Sequence, residues 1–596
     1  MHEDEILGKA YDARLMRRLL SYLRPYKWPA LVALGAIVVH SALQLAPPYL
    51  TKVAIDEHIA AGRLEGLARL AAIYLGVLTG AFALEYTQTY LMQLTGQRIM
   101  YDLRMAIYGR LQQLDVRFYD RNPVGRLMTR VTTDVDVLNE LFAGGVVAVF
   151  GDVFTLAGIM IVMLLMDWEL ALVSFAVLPF IAFVTQWFRR HVRESYRTVR
   201  TWIARINAFL QENITGMPTV QLFRREAHNY RRFDGINATH RDANIDSIFY
   251  YAVFYPSIEL VGSMAAALII WYGGLRVMAD TLTLGVLVAF IQYSSRFYQP
   301  ISDLSEKFNM LQAAMASSER IFKLLDEPVE IASRPAPKRR NPSTPPHIRF
   351  EQVWFAYNGE DYVLRDVSFE VAPGQRVGLV GATGSGKTTI INLLMRFYDV
   401  SRGRILIDEV DIRELSLEDV RQMVALVLQD VHLFSGSIEA NIRLGQDAIE
   451  EGAVEQAAAA VGASRFIDRL PERGATVLGE RGATLSVGQK QLLSFARALA
   501  FDRPVLVLDE ATSSVDTETE LAIRQALTVL MRGRTTLAIA HRLSTIQDMD
   551  KILVLHKGVL RESGTHQQLL AARGIYYKLF QLQFRRSLPE PAEKTS

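Results

Sequence analysis

Two rhythms of apolar and polar positions divide the chain. Up to about residue 305, long apolar stretches recur at the roughly 20-residue length a helix needs to cross a bilayer. Six such stretches lie near residues 30–54, 66–92, 141–166, 168–188, 248–273 and 283–305. The third and fourth are separated only by "MDWE", which predicts a tight helical hairpin. Between spans two and three, and again between four and five, helical periodicity persists with few breakers, so the spans are expected to continue as long helices outside the membrane. They reverse at "FYDRNPVGRL", with Pro123 and Gly125, and at "NITGMPTVQLF", with Gly216 and Pro218. Residues 1–29 hold "MHEDEILGKAYDARLMRRLL", whose apolar residues recur at helical spacing with Arg between them, as in a helix lying along a membrane surface.

After the sixth span the helix is expected to reach about Leu325, closing a membrane domain over 30–330. The stretch "SRPAPKRRNPSTPPH" then interrupts all periodicity with five prolines, and 331–346 reads as a linker. Its basic cluster reads as solvated linker charge. From 347 to 585 short β-rich runs ("RVGLVG", "PVLVLDEA", "TTLAIAH", "KILVLHKG") alternate with helices, the pattern of an α/β domain with a largely parallel, buried sheet. The tail, 586–596, reads as disordered. The fold class is thus an all-α six-helix transmembrane domain with long cytoplasmic extensions, followed by an α/β P-loop domain.

Charge fixes the orientation. The second-to-third connection carries Arg98, Arg104, Arg110, Arg117, Arg121, Arg126 and Arg130. The fourth-to-fifth carries Arg189, Arg190, Arg193, Arg197, Arg200, Arg224 and Arg225. Both are expected in the cytoplasm, with both termini and the α/β domain. The mean hydropathy of +0.14 agrees with a membrane protein, and a net charge of +2 gives no pull toward nucleic acid. The absence of cysteine excludes disulfides, thiolate metal sites and Cys nucleophiles.

Chemistry concentrates in the second half. "RVGLVGATGSGKTTIINLL" places a strand, then Gly381-x4-Gly386-Lys387-Thr388, then a helix, the phosphate-cradling arrangement in its required context. Backbone N–H groups of the loop (Gly381, Thr383, Gly384, Ser385, Gly386, with Thr389 beyond) wrap phosphates. Lys387 reaches the β- and γ-phosphates, and Thr388 ligates Mg²⁺. "PVLVLDEATSSVD" ends a buried strand in Asp509 and Glu510. Adjacent carboxylates there are costly unless they serve a cation or a reacting group. Asp509 fits the Mg²⁺ side and Glu510 the polarisation of an attacking water. "TLSVGQKQLL" puts Ser486 and Gly488 at a helix start suited to an anion, with Val487 where glycine sits more comfortably.

These motifs together resemble the nucleotide-binding domain of an ATP-binding cassette transporter, and nearly the whole chain, about 15–585, resembles a half-transporter of the exporter type. The resemblance implies an ATPase coupled to transport, with ATP and Mg²⁺ as cofactors. Tyr357 in "WFAYNGEDYVL" matches the adenine-stacking aromatic. Gln429 in "VLQDVHLFSGSI" matches the residue that contacts Mg²⁺ and the attacking water. Glu480 and Arg481 fall in the stretch that contacts the coupling helices, whose counterparts here are the reversals near 118–127 and 213–223. Ser486, Val487, Gly488 and Gln489 form the signature, which departs at Val487 from the family's Leu-Ser-Gly-Gly-Gln. Asp516 belongs to the loop crossing between cassettes, and His541 matches the γ-phosphate switch. The resemblance further implies an obligate dimer with an identical or homologous half-transporter, each ATP lying between one P-loop and the partner's signature. Closure would drive the membrane helices from inward- to outward-facing. A bacterial inner membrane is the expected site.

His40, Glu85, Asp152, Glu259 and Gln292 are costly groups within the spans, as expected of residues on a transport path or of interhelical polar pairs. "FYYAVFYP" and "YSSRFYQP" add aromatics suited equally to a cavity or to interfacial belts. The leading reading is export, or leaflet translocation, of a small amphipathic or hydrophobic molecule such as a drug or lipid, with membrane lipids as surroundings. An importer on the same architecture and an ATP-gated regulatory subunit stand as alternatives, the latter disfavoured by Glu510.

Overall fold

Long helices occupy the first half and mixed strands and helices the second. The computed structural model describes residues 12–62, 65–333, 337–338, 344–510, 517–540 and 546–587. Two compact units form. One comprises the chain to Gln112 with Val124–Glu327; the other comprises Gln113–Pro123 with the chain from Pro328 onward.

In the first unit, α1 (Ala13–Ser21) is capped by Asp12, whose carboxylate accepts from the Arg14 and Leu15 amides. The long helices follow as α2 (Lys27–Val53) and α3 (Leu67–Gln113). Beyond the short α4 (Val116–Arg121), which belongs to the second unit, come α5 (Val146–Met166), α6 (Trp168–Phe175) and α7 (Leu178–Thr215). Then follow the short α8 (Met217–Leu222), α9 (Glu226–Met278) and α10 (Leu284–Asp326). The "MDWE" hairpin is made by Asp167, which leaves α5 in an extended conformation and caps α6 through the Leu170 amide. Arg276 of α9 pairs with the same carboxylate at 2.8 Å. α5 packs closely on α2 at Gly158, where a Cβ would come within 2.6 Å of the Leu45 side-chain end. Ile159, Met163, Leu170, Ile269, Phe290, Tyr293 and Phe297 pack together as a core of this unit.

Five helical stretches among the described residues are long and apolar enough to cross a membrane: Arg24–Ile59, Leu67–Gln113, Val124–Met166, Trp168–Thr215 and Glu226–Met278. The expected sixth span falls on α10. That helix has the length, but Gln292, Ser294, Ser295 and Arg296 interrupt its apolar stretch and it lies outside this group.

In the second unit a four-stranded antiparallel sheet runs β2 (Tyr362–Val371), β1 (Ile348–Ala356), β4 (Arg402–Ile407), β5 (Val410–Asp411). A six-stranded sheet places β3 (Arg376–Val380) between β8 (Thr535–Ala540) and β9 (Lys551–His556). Outside these lie β7 (Val505–Glu510) and β6 (Val424–Val427) on one flank and β10 (Val559–Gly564) on the other. All pairings in this sheet are parallel except β9 with β10. Parallel strands need both faces covered, and Val377, Leu379, Val507 and Ile539 are fully buried. Open α/β sheets bind ligands beyond the carboxyl ends of their strands. Here those ends bring the loop after β3 and the last residues of β7 and β8 to one edge, Asp509 standing level with Ile539 and Glu510 with Ala540.

Candidate nucleotide site

The loop between β3 and α11 (Lys387–Leu394) is held in shape by glycine. Gly384 and Gly386 have φ of +79° and +102°, the left-handed region. A Cβ on Gly381 would meet the Leu555 carbonyl at 2.3 Å, and one on Gly386 would meet Leu364 at 2.5 Å. Lys387 is buried and folds back on the loop, donating to the carbonyls of Gly381 (2.8 Å) and Ala382 (3.1 Å). Burial pushes its ammonium below the usual lysine value, and Asp509 partly opposes that. Ser385 is buried, and its Oγ has no partner among the described residues. An orphaned hydroxyl, a retracted cation and a glycine cradle fit a polyphosphate, which supplies acceptors to both side chains. Thr388 is exposed on the first turn of α11, Thr389 is buried, and Thr383 and Gly384 lie exposed on the loop.

Tyr357, half-buried just past β1, is fixed to α11: its hydroxyl donates to Thr389 Oγ1 at 3.2 Å and accepts from Asn392 Nδ2 at 3.3 Å. Its ring meets those of Phe355 and Tyr398 edge-on, with centroids 4.8 and 5.0 Å apart. The aromatic wall and the phosphate loop therefore share one helix. Buried Tyr398 in turn donates its hydroxyl to Asp120 of α4, and Arg117 of α4 lies over the Tyr398 ring. Burial, then the Asp120 bond, holds the Tyr398 phenol well above its ordinary value. Arg121 donates to Asn358, next to Tyr357, at 3.1 Å. The reversal expected at 118–127 thus contains the end of the short helix α4, seated against the residues that flank Tyr357, and the start of a further helix at Val124. Sequence reading missed Tyr398, and its place in "RFYDV" gives no local sign of the contact.

Gln429 is exposed two residues beyond β6. Ser486 caps α12 (Val487–Ala500) in a reciprocal box: its Oγ accepts from the Gln489 amide at 3.2 Å and the Gln489 Oε1 accepts from the Ser486 amide at 2.9 Å. Gly488 is buried, whereas Val487 is 56% exposed at the first helical position, outside the left-handed region. Glycine's backbone freedom is not used at 487. Nearby Arg481 does take a left-handed conformation (φ +52°), with Glu480 beside it in the same turn. Asp516, His541 and the tail from 588 lie outside the described residues.

The five membrane candidates do not gather into one cluster. Asp152 is paired with Lys307 of α10. His40 contacts the Ala81 carbonyl (3.0 Å) and Gln44 (2.8 Å). Glu85 and Glu259 are exposed and Gln292 is half-buried. The reversal expected at 213–223 holds the end of α7 and the short helix α8, whose last residue Leu222 and following Phe223 are 77% and 67% exposed.

Comparison with known proteins agrees with this architecture. Residues 30–301 match the model of the ABC transporter transmembrane region and residues 364–513 that of the ABC transporter. The chain is 40% identical to the uncharacterized ABC transporter ATP-binding protein YknV of Bacillus subtilis (strain 168), over 98% of this chain and 96% of that protein. It is 37% identical to an ATP-dependent lipid A-core flippase of Syntrophus aciditrophicus (strain SB), over 96% of this chain and 95% of that one. The structure of a bacterial Atm1-family ABC exporter with ATP bound superimposes with a TM-score of 0.78 at 27% identity, covering 96% of this chain and 99% of the other. The chain belongs to the ABC transporter family, as an ATP-hydrolysing, multi-pass membrane protein with one transmembrane region joined to one cassette.

Proposed function

We propose that two such chains form an exporter that moves amphipathic or hydrophobic molecules, lipids or drugs, across a bacterial inner membrane by alternating access. The cassettes face the cytoplasm. The observation that carries the ATP side of this reading is the P-loop: buried Lys387 turned onto its own loop carbonyls beside an unpartnered Ser385 hydroxyl. On nucleotide binding Lys387 exchanges those carbonyls for phosphate oxygens, and Tyr357 stacks on the base. Thr388 and Gln429, with Asp509 acting indirectly, would hold Mg²⁺, which would supply positive charge to neutralise the phosphates. Glu510 orients and polarises the attacking water, and His541 contacts the γ-phosphate. Ser486 and Gly488 meet the nucleotide held by the partner, and Asp516 crosses between cassettes. The lipid side is supported by a relative named for lipid A-core flipping at 37% identity.

The test uses purified protein in proteoliposomes with a fluorescent amphiphile. Wild type is expected to move the probe away from the cassette side in an ATP-dependent manner. Glu510→Gln is expected to bind ATP normally while losing turnover by about a thousandfold or more, the scale of losing a positioned general base and the water it orients. Uptake toward the cassette side would overturn export, and unchanged turnover in the variant would overturn the role of Glu510.

A further inference from the structure

One charge at membrane depth was passed over in the sequence and acquires a role from a proline on another helix. Arg296 stands about 18 Å below the start of α10 at ~1.5 Å per residue, near the middle of a hydrocarbon core about 30 Å thick. It is exposed on the surface of the chain, and no carboxylate pairs with it among the described residues. Its Nη1 donates at 2.8 Å to the carbonyl of Gln44 in α2. That acceptor is available for a specific reason. In an α-helix the Gln44 carbonyl takes the amide of residue 48, and residue 48 is proline, which has no N–H. One turn earlier on α10, Tyr293 donates to the adjacent Leu45 carbonyl at 2.5 Å. Arg296 is therefore pinned by one donor at a helix break, with the rest of its fork unpaired among the described residues.

The surroundings extend this polarity. Gln44 Nε2 lies 2.8 Å from His40 Nε2 on α2, and half-buried Gln292 is one turn from Arg296 on α10. On α10, Gln292, Ser294, Ser295 and Arg296 together make the mid-membrane stretch too polar to join the other spans. Satisfying one carbonyl requires only a neutral donor such as Gln. A permanent cation left unneutralised at this depth faces water or a ligand of opposite charge, because facing lipid is strongly unfavourable.

We propose that Arg296, flanked by Gln44, His40 and Gln292, binds the anionic head of an amphiphile, a carboxylate or a phosphate, at mid-bilayer depth on the α2–α10 face. The proposal rests on the export reading for its biological sense, but the site is testable without transport. Its chemistry is the bidentate match of guanidinium to either anion, anchored by the Gln44 contact so that little freedom is lost on binding.

The experiment measures equilibrium binding of dodecanoate, dodecyl phosphate and dodecyltrimethylammonium to the purified full chain in nanodiscs of zwitterionic lipid. Wild type is expected to bind at least one anion at least about tenfold more tightly than the ammonium, and Arg296→Gln to weaken that anion by about tenfold or more without changing the ammonium. Arg296→Lys keeps the cation and is expected to retain anion preference, which guards against a folding defect in the Gln variant. The two anions distinguish a carboxylate-headed from a phosphate-headed ligand, and preference for either supports the site. Anion binding within twofold of wild type in Arg296→Gln, or no preference for anions in wild type, overturns the proposal. Arg296-dependent binding without ATP-driven movement leaves the site standing and removes the export reading instead.

Discussion

Val487 departs from the family pattern, yet the structure gives that departure little to act on. It occupies the first position of α12 outside the left-handed region, and the capping box is made by Ser486 and Gln489 on either side. Replacing it by glycine gains no needed backbone conformation and adds chain entropy of well under 1 kcal/mol in a helix. Val487→Gly is therefore expected to change the ATPase rate of reconstituted protein by no more than about twofold. A large gain would show that the valine side chain obstructs the turn. Gly381 contrasts with it: a Cβ there would run into the Leu555 carbonyl, so its identity is enforced by contact.

Between elements, two polar pairings allow direct predictions. Asp152 of α5 and Lys307 of α10 are each largely buried, at 19% and 17% exposure. Breaking one half of a buried pair strands the other charge, so Asp152→Asn is expected to destabilise the membrane unit by about 2–4 kcal/mol. The double variant with Lys307→Met is expected to recover most of the thermal midpoint. A midpoint unmoved by Asp152→Asn, with altered amphiphile binding, would make Asp152 a substrate contact instead. The second pairing joins α4 to the nucleotide side through Tyr398 and Asp120. Tyr398→Phe keeps the ring against Tyr357 and removes only the hydroxyl. Asp120 is exposed and water replaces the lost donor, so the stability cost is about 1 kcal/mol. ATP affinity is expected to hold within about twofold, while amphiphile stimulation of ATPase falls severalfold because α4 is less firmly tied to the cassette. A drop in ATP affinity with intact stimulation would assign the hydroxyl to nucleotide binding.

For the whole molecule, the decisive property is the proposed sharing of each nucleotide between two chains. Lys387→Ala removes the phosphate-binding cation and Ser486→Arg blocks the signature turn, so each homodimer is expected to be inactive. Co-assembled, the two variants leave one composite site with an intact P-loop on one chain and an intact signature on the other. ATPase is then expected to return to about one tenth to one half of wild type. No recovery in verified mixed dimers would show that the two motifs do not serve one nucleotide across the interface.

What local chemistry encodes could be read from the residues in order. The P-loop is a run of adjacent residues whose glycines, lysine and flanking strand and helix are all contiguous, and the long helices follow from apolar periodicity and its Pro and Gly breaks. The end of β7 was legible for the same reason, since a buried strand ending in the adjacent carboxylates Asp509 and Glu510 is a local pattern. Which distant groups meet is settled by packing instead. Arg296 contacts a carbonyl 252 positions away, Tyr398 an aspartate 278 away and Asp152 a lysine 155 away. Such pairings depend on which helix faces pack together and where a proline leaves an acceptor open, and neither quantity is a property of one stretch of chain. That is why Asp152, which stood out as an isolated charge, is a paired one, and why Arg296, inconspicuous among aromatics in "YSSRFYQP", is the cation that one helix break holds in place.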